Sequence, residues 1–184
     1  STTGVYGNCH GAVVNEDAPL NPDSQMSRPR VAAENLLSEW AGRTGCDLVI
    51  LRVPGIYGPG RLGVERIVQG GAYIANNEAN PGNRIHVDDL AACCLAALSE
   101  ETEAGVYNVG DGDHRTATWF AEEVARQAGL PEPRKISRAQ AEEEFSPARL
   151  AFLASSRIVD TTRMREVLGD TPRAPEEGIR DSLS

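Results

Sequence analysis

The chain has 184 residues, 40% of them hydrophobic and 24% charged, which suits a soluble domain able to bury a real core. Its net charge of −9 argues against a nucleic-acid partner, because phosphate binding needs a positive footprint. No apolar run approaches a membrane span of about 20 residues, and the spacing of Cys9, Cys46, Cys93 and Cys94 suggests no metal site. A reduced, cytoplasmic protein is the simplest expectation.

Ser1 to Tyr6 reads as the tail of a strand, and residues 7–25, rich in Gly, Pro, Asn and Asp, as a loop. A helix is predicted from about Pro29 to Arg43, with Ala32, Ala33, Leu36, Leu37, Trp40 and Ala41 as its apolar face. Asp47 to Val53 is the next strand, and Val64 to Val68 a short helix. Tyr73 to Asn83 looks like a polar loop, followed by a strand over Arg84 to Val87. A helix capped by Asp88 or Asp89 runs to about Ser99; it is apolar nearly all round and is expected to be buried, with Cys93 and Cys94 as small core residues.

Gly105 to Val109 is the last predicted strand, and Asp111-Gly112-Asp113 a turn. Thr116 to Ala128 is an amphipathic helix with Phe120, Val124 and Ala128 on one face. Beyond Pro131, helices are expected over about Arg138–Phe145 and Pro147–Ala154. Another runs from Thr161 to Leu168, capped by Asp160 and stopped by Gly169, and a last short one follows Pro175.

Four strings stand in a fixed order: Ser1-Thr2-Thr3-Gly4-Val5-Tyr6-Gly7, Leu51-Arg52-Val53-Pro54-Gly55-Ile56-Tyr57-Gly58-Pro59-Gly60-Arg61, Asn83-Arg84-Ile85-His86-Val87-Asp88-Asp89-Leu90, and Val106-Tyr107-Asn108-Val109-Gly110. Together they resemble the second half of an extended or atypical short-chain dehydrogenase/reductase of the NAD(P)-dependent epimerase/dehydratase group. The stretch Asp160 to Gly169, with the prolines and Glu176-Glu177-Gly178 after it, resembles that family's C-terminal substrate-domain signature. The resemblance implies an α/β fold: the C-terminal part of a Rossmann-type parallel sheet plus a small, mostly helical substrate lobe. Residues 1–130 then form the second half of the NAD(P)-binding domain, with substrate-lobe segments interleaved, and residues 131–184 the helical lobe. The chain is expected to be part of a longer one, because the family's Gly-rich pyrophosphate turn belongs to the first strand–helix unit and no G-x-x-G-x-x-G occurs here.

The resemblance also implies an active site. Thr2 falls at the hydroxyl position that hydrogen-bonds the substrate oxygen. Counting back from Ala33-Glu34 places Met26 at the catalytic Tyr and Arg30 at the Lys. A thioether neither donates nor accepts a proton, and a guanidinium keeps its charge without deprotonating. Thr2, Arg30, Val53 and Pro54 are the expected contacts to NAD or NADP, and Gly55, Arg61 and Arg84 the expected contacts to a small, sugar-like substrate. Gly82 stands where nucleotide-sugar enzymes carry a phosphate-binding Arg, and Thr3 and Gly4 where dehydratases carry an acid and a base. Tyr6 and Tyr57 are the nearest substitute phenols, although both occupy positions that are structural in the family; His86 reads as a packed strand residue.

Three readings follow: an oxidoreductase of the atypical short-chain group, a non-catalytic NAD(P)-binding sensor that has lost its Tyr, or a fragment with no function alone. The apolar strand around Leu48 to Leu51, with only the tail of a neighbour, is expected to present a sheet edge prone to self-association.

Overall fold

A computed structural model describes residues 1–169 and 172–184. After a 3₁₀ turn at Thr3–Tyr6 the elements are β1 (Val13–Val14), α1 (Arg28–Thr44), β2 (Val49–Arg52), β3 (Gly55–Tyr57), α2 (Val64–Val68) and β4 (Tyr73–Ile74). Then come β5 (Arg84–His86), α3 (Val87–Ala96), β6 (Gly105–Asn108), α4 (Ala117–Ala128), β7 (Lys135–Ile136), α5 (Arg138–Glu144), α6 (Pro147–Ala154), β8 (Ile158–Val159), α7 (Thr162–Val167) and α8 (Pro175–Leu183). Every strand ladder among the described residues is parallel: β1 with β8, β2 with β6, β3 with β5, and β4 with β7. Parallel partners need long crossovers, and the intervening helices supply them. The fold is α/β, as expected.

The spine is the pair β2–β6, in register from Val49↔Gly105 to Arg52↔Asn108. Its other neighbour is the expected strand tail, reduced to one parallel bridge between Thr2 and Val53. The Ser1 ammonium donates to Leu51 O at 2.9 Å, Thr3 N to Val53 O at 3.0 Å and Val53 N to Ser1 O at 3.4 Å. The strand stops at Thr2 because its Oγ1 accepts from Gly4 N and caps the 3₁₀ turn. In the β2–β6 ladder Leu48 and Arg52 accept from β6, so Val49, Leu51 and Val53 turn their backbone groups the other way. On that side, the Val49 backbone and the Leu51 amide have no partner among the described residues.

The helices begin and end close to the predicted places. Gly45 and Gly129 cap α1 and α4 in the left-handed conformation, and Thr116 Oγ1 caps α4 by accepting from Trp119 N. The apolar face read in α1 is largely uncovered, and the burial expected of α3 is corrected. In α1 only Glu34 and Ala41 are buried, while Leu36, Leu37 and Trp40 are exposed. In α3 only Asp89 and Cys93 are buried; Cys94 and Leu95, and Leu98 just after the helix, are exposed. Periodicity shows which side chains share a face, but not whether anything covers that face. The N-cap of α3 is also His86, whose Nδ1 accepts from Asp88 N, not Asp88 or Asp89.

One core joins Ile85, Cys93, Tyr107, Val109, Met164 and Leu168 beneath the spine. A second packs Tyr57, Leu62 and Ile67 against Val124 of α4 and Ile179 of α8. A third, Ala72, Ile74, Ile136, Ala141 and Phe145, holds β4 and β7 to α5.

Candidate active site

Parallel strands deliver their following loops to a crevice at their carboxyl ends. Here that end gathers Thr2, Val53, Pro54 and Gly110. Thr2 and Val53 are bridged, and a Cβ added to Gly110 would lie 3.8 Å from Pro54 Cγ. The Thr2 oxygen accepts from Gly4 N at 3.3 Å, which leaves its hydroxyl proton free to donate. Arg30 is exposed on the first turn of α1. Its helix meets the Thr2 end at two points: Glu34 accepts from Ser1 Oγ, and Ser27 Oγ would lie 2.7 Å from a Cβ added to Gly4. Arg30 lies between Ser27 and Glu34 on that helix. Met26 is 85% exposed. Gly55 and Arg61 are also exposed, and Arg61 N donates to Gly58 O at 2.9 Å.

Arg84 is not drawn into this group. Its buried guanidinium donates to Asp113 Oδ1 at 3.0 Å and to the carbonyls of Arg115 and Thr116, and lies 5.1 Å from the Phe120 ring centroid. A side chain at position 82 would collide with Arg84 Nη2 and come within 2.6 Å of Arg115 O. The Arg84 guanidinium thus fills the space that a longer residue at 82 would need.

Both alternative tyrosines are interior. Tyr6 Oη donates to Asn108 Oδ1 at 2.7 Å and accepts from Arg52 Nη1 at 2.8 Å. Burial raises its pKa, with the Arg52 hydrogen bond pulling the other way. Tyr57 Oη is buried with no hydrogen-bond partner among the described residues, and burial followed by the Asp111 charge pushes its pKa up. His86 is buried as well. Its Nδ1 accepts from Asp88 N at 3.2 Å, so Nε2 carries the proton and donates to Ser182 Oγ at 3.1 Å, which in turn donates to Gly178 O. These bonds join β5 to α8.

Sequence reasoning missed a buried polar network behind the crevice. Arg52 holds Glu34 through Nε and Nη2, at 3.2 and 2.8 Å, and donates through Nη1 to Glu16 O. Glu16 Oε1 accepts from Asn108 N at 2.8 Å, and Ser1 Oγ donates to Glu34 Oε1. Five segments meet there, and the signal was visible: an Arg inside an apolar strand needs a buried partner.

Asp111 was also missed as a chemical group. It is buried beside a cavity of about 10 Å³, room for one water, lined by Asn83, Arg84, His114 and Thr161 among others. Its Oδ1 accepts from Asp113 N at 2.9 Å and its Oδ2 has no partner among the described residues. Burial raises its pKa to about 7.

Gly58, Gly60 and Gly63 form a G-x-G-x-x-G between β3 and α2, but α2 has only five residues. A Cβ at Gly58 would come within 2.6 Å of Val87 Cγ1, so close packing explains that glycine. The fit of a dinucleotide to these residues is therefore partial. The Thr2 hydroxyl and the exposed Arg30, whose side chain has no hydrogen-bond partner among the described residues, are groups able to meet ribose hydroxyls. Among the described residues no helix of eight or more residues follows a Gly-rich turn as a pyrophosphate would need. Among the described residues no His, Cys, Asp and Glu cluster is arranged for a metal, and no helix is long and apolar enough to cross a membrane.

The model of the NAD dependent epimerase/dehydratase family matches residues 1–110. The chain belongs to this family. It is 30% identical to a UDP-glucose 4-epimerase of Mycolicibacterium smegmatis over 191 residues, covering 97% of this chain and 58% of that protein. It is 31% identical to protein YeeZ of Escherichia coli K12 over 137 residues, covering 72% of this chain and 46% of YeeZ. Among solved structures, a conserved protein of unknown function from Silicibacter pomeroyi DSS superposes with a TM-score of 0.86 at 31% identity, over 99% of this chain and 64% of that one. The UDP-glucose 4-epimerase of Thermotoga maritima, solved with UDP-glucose, gives a TM-score of 0.78 at 22% identity, over 99% of this chain and 60% of that one, a likeness of fold. The chain spans less than two thirds of the length of these proteins.

Proposed function

We propose that the chain supplies the nicotinamide side of an epimerase/dehydratase-like oxidoreductase that uses NAD or NADP on a small, sugar-like substrate. The meeting of Thr2, Val53 and Pro54 at the carboxyl ends of parallel strands, with the first turn of α1 beside Gly4, carries this reading. Thr2 donates its free hydroxyl proton to a substrate oxygen, Arg30 holds the ribose hydroxyls, and the Val53–Pro54 backbone lies against the nicotinamide. Gly55 and Arg61 face the substrate, and Arg84 shapes that side through the carbonyls it holds. Residues 1–130 carry the crevice and 131–184 the lobe over the substrate. A longer protein, with a Gly-rich turn in a part this chain does not span, is supported by the 58% coverage of the mycobacterial epimerase and by the open side of β2. Four free cysteines suit a reducing, cytoplasmic setting.

The exposed Met26 favours a second reading, a sensor that binds NAD(P) without turnover. Turnover of UDP-glucose by the longer protein, followed by chromatographic separation of the sugar-nucleotide products, separates the two. The oxidoreductase reading expects slow activity that falls about 100-fold in Thr2→Val and rises when Met26→Tyr and Arg30→Lys restore a general acid. No turnover by the native protein, with NAD(P) still bound, supports the sensor. Brisk native turnover indifferent to Thr2 overturns this placement of the site.

A further inference from the structure

Helix α6 packs on the core of Ile74, Ala141 and Phe145 through the partly buried Leu150 and Leu153. Its sequence, Pro147-Ala148-Arg149-Leu150-Ala151-Phe152-Leu153-Ala154, is mostly apolar, yet none of its residues is buried. Polar bonds hold it at both ends. Arg149 donates to Ala72 O at 2.7 Å and lies 3.4 Å from the Phe145 ring centroid, and Asn80 Nδ2 donates to Leu153 O at 2.6 Å. Between these anchors the helix spans a cavity of about 240 Å³ lined by Ile74, Arg138, Ala141, Glu142, Leu150, Leu153 and Ala154. None of these residues belongs to the crevice at Thr2 and Val53.

The space opens to solvent at the exposed Glu142 and Ala154, and its volume exceeds the roughly 150 Å³ that admits benzene to an apolar cavity. The walls are aliphatic. The two polar members, Arg138 and Glu142, sit one turn apart on α5 and so share a face. One offers donors and the other acceptors. Arg138 Nη2 is engaged by Glu78 O and Asn80 Oδ1, and the Glu142 carboxylate has no partner among the described residues. Opposite charges side by side give an anion or a cation one repulsive neighbour, whereas a hydroxyl accepts from the first and donates to the second.

We propose that this cavity is a binding site for a small uncharged molecule with an aromatic or branched apolar body and one hydroxyl group, of the phenol type. The hydroxyl lies between Arg138 and Glu142, and the body lies between α6 and Ile74.

Calorimetric titration with 4-ethylphenol, ethylbenzene and 4-ethylbenzoate tests this. The phenol is expected to bind about 2- to 5-fold more tightly than either analogue, as one hydrogen bond at the exposed Glu142 warrants. Glu142→Leu should reduce that preference over ethylbenzene to about onefold while leaving ethylbenzene binding unchanged. Ala154→Leu, at the exposed end of α6, should weaken all binding about 10-fold or more without lowering the melting temperature; Ala141→Leu fills the space from the opposite wall if that variant unfolds. Equal affinity for phenol and ethylbenzene, tightest binding by the benzoate, or no binding at millimolar phenol by the folded protein would each overturn the proposal.

Discussion

Asp111 and Glu34 show how differently two buried carboxylates behave in one fold. Glu34 faces Arg52 through paired hydrogen bonds, with both side chains almost wholly out of water. Removing one partner leaves the other charge buried, so Glu34→Ala is expected to cost about 3–5 kcal/mol in urea unfolding. Asp111 has no such partner, and its pKa of about 7 stands above the ordinary 3.8. The charged groups around it are Arg84 on β5, Asp113 and Arg115 on its own loop, and Arg165 of α7, which donates to the Asp111 carbonyl; Tyr57 faces it from β3. The folded protein keeps a proton there that the unfolded chain has already released. This stabilisation is complete below the unfolded value and is lost as pH rises through about 7, by at most about 4 kcal/mol. Urea unfolding should find Asp111→Asn more stable than the parent at about pH 8, with the difference shrinking toward about pH 5. A parent advantage that grows with pH would mean that the carboxylate is ionised and paired.

Helix α8 reaches the core only because Gly178 has no side chain. A Cβ there would lie 2.8 Å from Tyr57 Cε2 and closer still to the hydroxyl. Gly178→Ala is expected to lower stability by about 1–3 kcal/mol in thermal melting. Tyr57→Phe, which removes a buried hydroxyl with no partner, should be neutral or slightly stabilising. The sequence made the helices legible because their signals are local. Thr116 before an apolar period and Gly129 after it are enough for α4, and Val64 to Val68 is matched residue for residue by α2. The two-residue strands β1, β4, β7 and β8 escaped, since a period of two has no expression in two residues and their partners lie far along the chain. The pairing of Thr2 beside Val53 was legible through the order of strings along the chain. Glu34, Asp111 and the inward turn of Arg84 were not, because burial and pairing of polar groups arise only when distant segments meet.

On the scale of the whole molecule, two exposed features coincide. The side of β2 beyond Thr2 offers unpaired backbone at Val49 and Leu51, and Leu36, Leu37, Trp40, Leu95 and Leu98 lie exposed on α1 and α3. Unpaired strand edges invite pairing with another chain. Sedimentation should therefore show self-association of the 184-residue protein, with slowed hydrogen exchange at Leu51 as it associates. A monomer with that amide already protected would mean that β2 has another partner.

The placement of the nicotinamide end at Thr2 is tested most directly by amide ¹H–¹⁵N spectra recorded while NAD⁺ is added to this chain. The expected outcome is a dissociation constant of about 1 mM or weaker, because no pyrophosphate cradle is supplied, with shifts confined to Thr2, Arg30, Val53 and Gly55. Micromolar affinity, or shifts centred away from those residues, would contradict it.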